Sequence, residues 1–187
     1  MSMPMNWHIR EAVRNLEAGG VIAYPTETVY GLGCDPFNAA AVLHLLTLKQ
    51  RSIRHGVILI AASFDQLEPL LTPLAPAVHK RVAGPATPPV TWVLPCLPDT
   101  PAWLTGDHDT LAVRVTSHPV AAELCNYWGG PLVSSSANLH GRAPATSPLA
   151  VRKSFNGQLD YILHGSDSAS NIPSSVRDGL SGNVLRH

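Results

Sequence analysis

Apolar residues follow two rhythms along this chain. Ile9, Ala12, Val13 and Leu16 recur at helical spacing, and Gly19-Gly20 comes next, which predicts a helix that ends before residue 21. Val21-Ile22-Ala23-Tyr24 is then an unbroken apolar run stopping at Pro25, the form of a buried strand with a sharp exit. Asn38 is placed to cap a second helix that carries Val42, Leu45 and Leu46 inward and frays near Lys49-Gln50-Arg51. Val57 to Ala62 is continuous and apolar, which predicts a strand covered on both faces. Ser63 can cap a helix bearing Phe64, Leu67, Leu70 and Leu71, and a further helical segment runs from about Ala75 to Val82. Pro85, Pro88 and Pro89 forbid regular structure after it.

The second half repeats the alternation. Val90–Leu94 and Leu111–Val115 read as strands, joined by a connection from Pro95 to Thr110 that contains Pro98 and Pro101. Pro119 suits the first position of a helix reaching about Tyr127, and Leu132-Val133-Ser134 reads as a strand feeding the loop Ser135-Ser136-Ala137-Asn138. Ser147-Pro148 opens a short helix, Tyr161-Ile162-Leu163 resembles a strand, and the tail from Ile172 to His187 can supply two short strands, around Ser174-Ser175-Val176 and Val184-Leu185. Helices and strands interleave without repeat, low-complexity tract or linker, which predicts an α/β fold around a mixed sheet.

The 187 residues make one domain, 1–187, long enough to bury a substantial core. With 45% hydrophobic and 14% charged residues the chain is built to fold. Lys plus Arg and Asp plus Glu both number 13, so bulk electrostatic attraction to nucleic acid or membrane is excluded, while a local basic patch is not. No basic residue precedes Arg10 and no apolar run nears the ~18 residues of a membrane span, so neither signal peptide nor membrane helix is expected and the location expected is cytosolic. Cys34, Cys96 and Cys125 lie too far apart for a disulfide framework or a closely spaced zinc pair.

Three polar clusters follow element ends, where such folds carry function. Thr26-Glu27-Thr28 offers two hydroxyls and a carboxylate, and Gly31 and Gly33 let backbone approach closely, although a Thr-Glu turn that caps a helix has the same composition. Lys49 and Arg51 can grip a polyphosphate if the chain is extended there, or can simply complement a helix end. Ser135-Ser136-Ala137-Asn138 with Gly141 suits phosphate or ribose oxygens and equally an ordinary turn. Arg114 stands inside the apolar strand Leu-Ala-Val-Arg-Val, either solvated or aimed into a cleft at an anionic group. The chain contains no G-x-x-x-x-G-K-[ST], G-x-S-x-G or H-E-x-x-H motif, and Gly31-Leu32-Gly33 lacks the third glycine of a dinucleotide fingerprint.

Together the clusters resemble the YrdC/TsaC family, the threonylcarbamoyl-AMP synthases of tRNA modification. The resemblance rests on Y-P-T-E-T-V-Y-G-L-G at 24 to 33, K-Q-R at 49 to 51, P-V-T-W-V-L-P at 89 to 95, L-A-V-R-V at 111 to 115, P-L-V-S-S-S-A-N at 131 to 138 and P-S-S-V-R-D at 173 to 178. The family's K-x-R…S-x-N set falls on Lys49, Arg51, Ser136 and Asn138. The resemblance implies a twisted, open-sided sheet with a concave basic cavity, in the short bacterial form. It implies that L-threonine, bicarbonate and ATP give threonylcarbamoyl-AMP and pyrophosphate. Partner proteins then pass the threonylcarbamoyl group to adenosine 37 of tRNAs reading codons that begin with A. By resemblance, Lys49 and Arg51 hold the phosphates and Ser136 and Asn138 complete the nucleotide site. Thr28 and Arg114 hold threonine, Arg114 through its carboxylate, while Ser174 and Arg186 close the site from the tail. Magnesium is expected with the triphosphate, without an all-protein cage. The chain departs from the family pattern at Ser52, at Ala86-Thr87-Pro88-Pro89 and at His140. A module binding double-stranded RNA or the ribosome on the same surface, and a paralogue using another carbamoyl substrate, are the competing readings. Zero net charge weighs against the first, and the intact K-x-R…S-x-N set against a paralogue that has lost activity.

Overall fold

The computed structural model describes residues 5–139, 141–165 and 174–186. In chain order the elements are α1 (Met5–Glu17), β1 (Ile22–Tyr24), β2 (Gly31–Gly33), α2 (Ala39–Leu48), β3 (Ile58–Ala61), α3 (Pro76–Val82), β4 (Val90–Pro95), α4 (Ala102–Thr105), β5 (Thr110–Val115), α5 (Pro119–Trp128), β6 (Leu132–Ser136), α6 (Pro148–Phe155), β7 (Tyr161–Ile162), β8 (Ser175–Asp178) and β9 (Val184–Arg186). The strands form one mixed sheet in the order β7-β1-β2-β6-β3-β5-β4-β8-β9, with parallel pairs β7/β1, β3/β5 and β4/β8 among antiparallel neighbours.

Strand alternation divides the apolar residues between the two faces. Ala23, Leu32, Leu59, Ala61, Trp92, Leu94, Leu111, Val113, Val115 and Val133 join one core, which also takes Ala41, Val42, Leu45 and Leu46 of α2 and Val151 and Phe155 of α6. Ile22, Tyr24, Ile60 and Leu132 point the other way, into a second core with Ile9, Ala12, Val13 and Leu16 of α1 and Val120, Ala121, Leu124 and Cys125 of α5. Both faces of the central strands are therefore covered at this end, as the unbroken run at residues 57–62 predicts.

Local chemistry sets the boundaries. Asn38 Oδ1 accepts from Ala41 N at 3.1 Å and Ser147 Oγ accepts from Ala150 N at 3.3 Å, so both helices start where expected. The expected helix after Ser63 is instead two 3-10 turns, Phe64–Gln66 and Glu68–Leu70. Ser63 makes no side-chain cap, and Pro69 brings no N–H to continue a helical ladder. The connection from Pro95 to Thr110 contains α4, and β6 runs on through Ser135 and Ser136, which the sequence suggests as loop. Both tail strands form, while Ile172, Pro173 and His140 lie outside the described residues. No helix among the described residues is long and apolar enough to cross a membrane.

Gly31-Leu32-Gly33 is a strand that composition conceals, since glycine weakens strands. The reason is Tyr24, which pairs across from Gly31 and is fully buried. A Cβ on Gly33 would sit 2.5 Å from Tyr24 Cε1 and 2.6 Å from Val133 O, so only glycine leaves room for the ring. Gly33→Ala should destabilise the fold by about 1–3 kcal/mol, the usual range for overpacking. Urea unfolding measures it, and wild-type stability would show that the ring moves freely aside.

Candidate functional site

Among the described residues no helix covers the rest of the sheet face on which α1 and α5 pack. Register places Ser134 opposite Ile58, Ile58 opposite Ala112, and Ile60 opposite Arg114, so these side chains share that face. Ser134, Ser136, Ile58 and Arg114 line a cavity of about 310 Å³, walled by Thr26, Thr28, Val29, Tyr30, Pro144, Ser174 and Arg186. A second cavity of about 360 Å³ continues along the bare face over Ala112, Val93, Thr91 and Val176. Arg51, Ile58 and Arg186 belong to both walls.

Among the described residues, three arginines and no carboxylate line the first cavity. Arg114 is 7% exposed, and among the described residues it makes neither hydrogen bond nor ion pair; its Nε is buried without a partner. That nitrogen has lost water and, among the described residues, gained no protein partner, an arrangement that a bound anion completes. Even-numbered residues of β5 point at the cavity while Leu111, Val113 and Val115 fill the core below, so the cleft-facing reading of Arg114 holds. Arg51 donates from Nη2 to Gly56 O at 3.0 Å. Burial, then the charge of Arg186, lowers its affinity for its proton. Ser174 Oγ and Thr91 Oγ1 share a hydrogen bond of 3.0 Å, which ties the tail to β4.

Lys49 and Asn138 sit beneath the cavity wall. Lys49 is buried and donates from Nζ to Ser136 O, to Asn138 Oδ1 at 2.7 Å and to Ser136 Oγ at 3.3 Å. Ser136 Oγ donates to Asn138 Oδ1 at 2.6 Å, and Asn138 Nδ2 donates to Arg142 O at 2.8 Å and to Leu139 O at 3.2 Å. The K-x-R…S-x-N set is thus brought together, with Arg51 and Ser136 in the wall and Lys49 and Asn138 holding Ser136 from behind. Burial, and then Arg51, pull the Lys49 ammonium down to about 8.

Thr26 Oγ1 donates to Val29 O at 2.6 Å and accepts from Thr28 N at 3.4 Å, a compact turn that leaves Thr26 and Thr28 on the cavity. Glu27 does not line the cavity, so the carboxylate that the sequence offers to a ligand is spent elsewhere. Its Oε1 accepts from Ser117 N at 2.6 Å, Thr116 Oγ1 at 2.7 Å, and Ser117 Oγ and His118 N at 3.3 Å. Burial acts to raise its pKa, but the charge of Arg114 and the bonds from Thr116 and Ser117 outweigh that, and the carboxyl stays below its ordinary range.

Sequence reasoning passes over Ser134, Val29, Tyr30, Ile58 and Pro144. Ser134 was findable, because residues two apart on a strand share a face. Of the departures, Ser52 accepts from Arg54 N at 3.3 Å and caps a 3-10 turn, and none of residues 83–89 lines either cavity.

Residues 14–187 match the Sua5_yciO_yrdC family, described as Telomere recombination. The chain is 54% identical over 181 residues to the threonylcarbamoyl-AMP synthase of Nitrosococcus oceani, covering 97% of this chain and 98% of that one. To the enzyme of the same name from Coxiella burnetii it is 48% identical over 178 residues, 95% and 96% of the two chains. The crystal structure of P. abyssi Sua5 complexed with L-threonine superposes with a TM-score of 0.85 at 33% identity, over 95% of this chain. The chain spans about half, 52%, of that longer protein. The crystal structure of E. coli YciO matches with a TM-score of 0.83 at 26% identity, over 100% of this chain and 91% of that one.

An unfolded lysine titrates at ~10.4, whereas burial holds Lys49 in the fold at about 8. Between these values the unfolded chain binds the extra proton, so stability from this group rises with pH; below about 8 the cost of the buried charge is fully present. The stability of the wild type relative to Lys49→Met should therefore increase from pH 8 to pH 10 in urea unfolding. A pH-independent difference would contradict a depressed Lys49.

Proposed function

The chain belongs to the Sua5/YciO/YrdC family, and from that premise we propose that its bare sheet face makes threonylcarbamoyl-AMP. L-Threonine and bicarbonate condense to a carbamate with loss of water, a carbamate oxygen attacks the α-phosphorus of ATP, and pyrophosphate leaves. The observation that carries this reading is Arg114 at 7% exposure, unpaired among the described residues, in a cavity to which those residues contribute two further arginines and no acid.

In this reading Arg114 takes the threonine carboxylate through charge-assisted hydrogen bonds, with the Thr28 hydroxyl and Ser174 at the same subsite. Arg51 and Arg186 take the phosphates where the two cavities meet, and the nucleoside extends into the second cavity between Val93, Ala112 and Val176. Ser136, backed by Lys49 and Asn138, presents its hydroxyl to the nucleotide. Catalysis is then mainly positioning: two anions are held in line against their mutual repulsion, and the cations neutralise charge as it develops on the transferring phosphorus. Among the described residues no group of three acids, histidines or cysteines is placed to hold a metal. Magnesium would accordingly be carried by the triphosphate oxygens. The product is a mixed anhydride, whose consumers are the tRNA threonylcarbamoyl-transfer proteins acting at adenosine 37. That role implies a cytoplasmic location.

The test is mass-spectrometric detection of threonylcarbamoyl-AMP after mixing the protein with ATP, magnesium, bicarbonate and L-threonine. Arg51→Ala should lower product formation roughly 10²-fold with little loss of stability, because it removes a charge-assisted phosphate contact. Arg114→Ala should mainly raise the KM for threonine. No product from folded wild type would overturn the reading, and wild-type turnover by Arg51→Ala would remove the phosphate role.

A further inference from the structure

Glu27 is a carboxylate that the reaction does not need, in the middle of the loop that supplies Thr26 and Thr28. Its neighbours turn inward to the cavity, each no more than 4% exposed. Glu27 reaches out of the loop to the segment Thr116-Ser117-His118, where four donors converge on one of its oxygens. That segment leads into α5, whose first residue, Pro119, brings no N–H, and whose N-cap residue, His118, makes no side-chain cap. Glu27 accepts from the N–H groups of Ser117 and His118, 90 and 91 residues on, and the His118 N–H is shared with Thr116 Oγ1 at 3.1 Å.

The same segment continues β5, only two residues beyond Arg114. Thr116 N still bonds to Ala61 O at 2.9 Å, so Thr116 is held in line with the strand. The Glu27 carboxylate acts electrostatically on Arg114, yet the two do not form an ion pair among the described residues. Glu27 Oε2 and Arg114 Nε are both buried without partners. Were the carboxylate free to swing, it would pair with Arg114 and compete with any ligand anion. Its four donors prevent that.

We infer that Glu27 is the positioning residue of the amino-acid subsite: it locks the Thr28 loop to the end of β5, and it is itself held off Arg114, whose guanidinium stays open to the substrate carboxylate. This rests on the reading of Arg114 and Thr28 as the threonine subsite. A residue that merely capped α5 would affect the fold without favouring one substrate over the other.

Steady-state kinetics with separately varied threonine and ATP test it, on Glu27→Ala, Glu27→Gln, Thr116→Val and Arg114→Ala, with thermal unfolding of each. Glu27→Ala should raise the KM for threonine about tenfold or more, since small misplacements of a binding group cost that much, and leave the KM for ATP within about twofold. Glu27→Gln keeps an acceptor oxygen for Thr116 and Ser117 and should recover most of the loss. Thr116→Val should shift threonine in the same direction by a smaller factor, and it serves if Glu27→Ala does not fold. An unchanged threonine KM in Glu27→Ala, or equal rises for both substrates, would overturn the inference while a raised threonine KM in Arg114→Ala leaves the subsite standing. An unchanged threonine KM in Arg114→Ala would overturn both.

Discussion

Arg114 places a charge where water barely reaches, and the surrounding structure is arranged around that cost. The strand that carries it must be anchored from below, and it is, because Leu111, Val113 and Val115 alternate with it into the larger core. Among the described residues no helix closes over it, since α1 and α5 cover only the end of the face held by Ile22, Tyr24, Ile60 and Leu132. Among the described residues no acid forms an ion pair with it, and the Glu27 carboxylate is held by Thr116, Ser117 and His118. An unpaired buried cation lowers the stability of the empty protein and sharpens its affinity for an anion.

The polar set at residues 49–51 and 136–138 divides its labour by depth. Arg51 meets the cavity, and so does Ser136, but the ammonium of Lys49 is turned toward three oxygens of the chain itself. The two cavities meet at Arg51 and Arg186, whose like charges repel until something negative lies between them.

Much of this was legible in the residues. Asn38 and Ser147 announce their helices through side-chain caps, and the unbroken apolar runs of residues 21–24 and 57–62 announce buried strands. Sequence could not say that Gly31-Leu32-Gly33 is a strand, because what permits it is the ring of Tyr24 packed against those glycines. It could not say that Lys49 is buried, since the covering groups come from residues 136 and 138. Glu27 looked like a ligand-binding acid because its donors lie 90 residues on, a distance that no local pattern spans. The helix expected after Ser63 failed for a reason that was in view: Pro69 already stood in its path.

The sheet order joins segments that the chain keeps far apart: Ile22 pairs with Tyr161, Gly31 with Ser136, and Val90 with Ser175. The cavity draws on the β1–β2 loop, the end of α2, β3, β5, β6 and the tail, segments spread from residue 26 to residue 186. Closing such long loops is entropically slow, and parallel and long-range pairings form late. A partly folded chain would thus own helices and hairpins but no binding site, and catalytic competence would appear only when the last strands dock. Recovery of activity is therefore the strictest measure of refolding this molecule can offer.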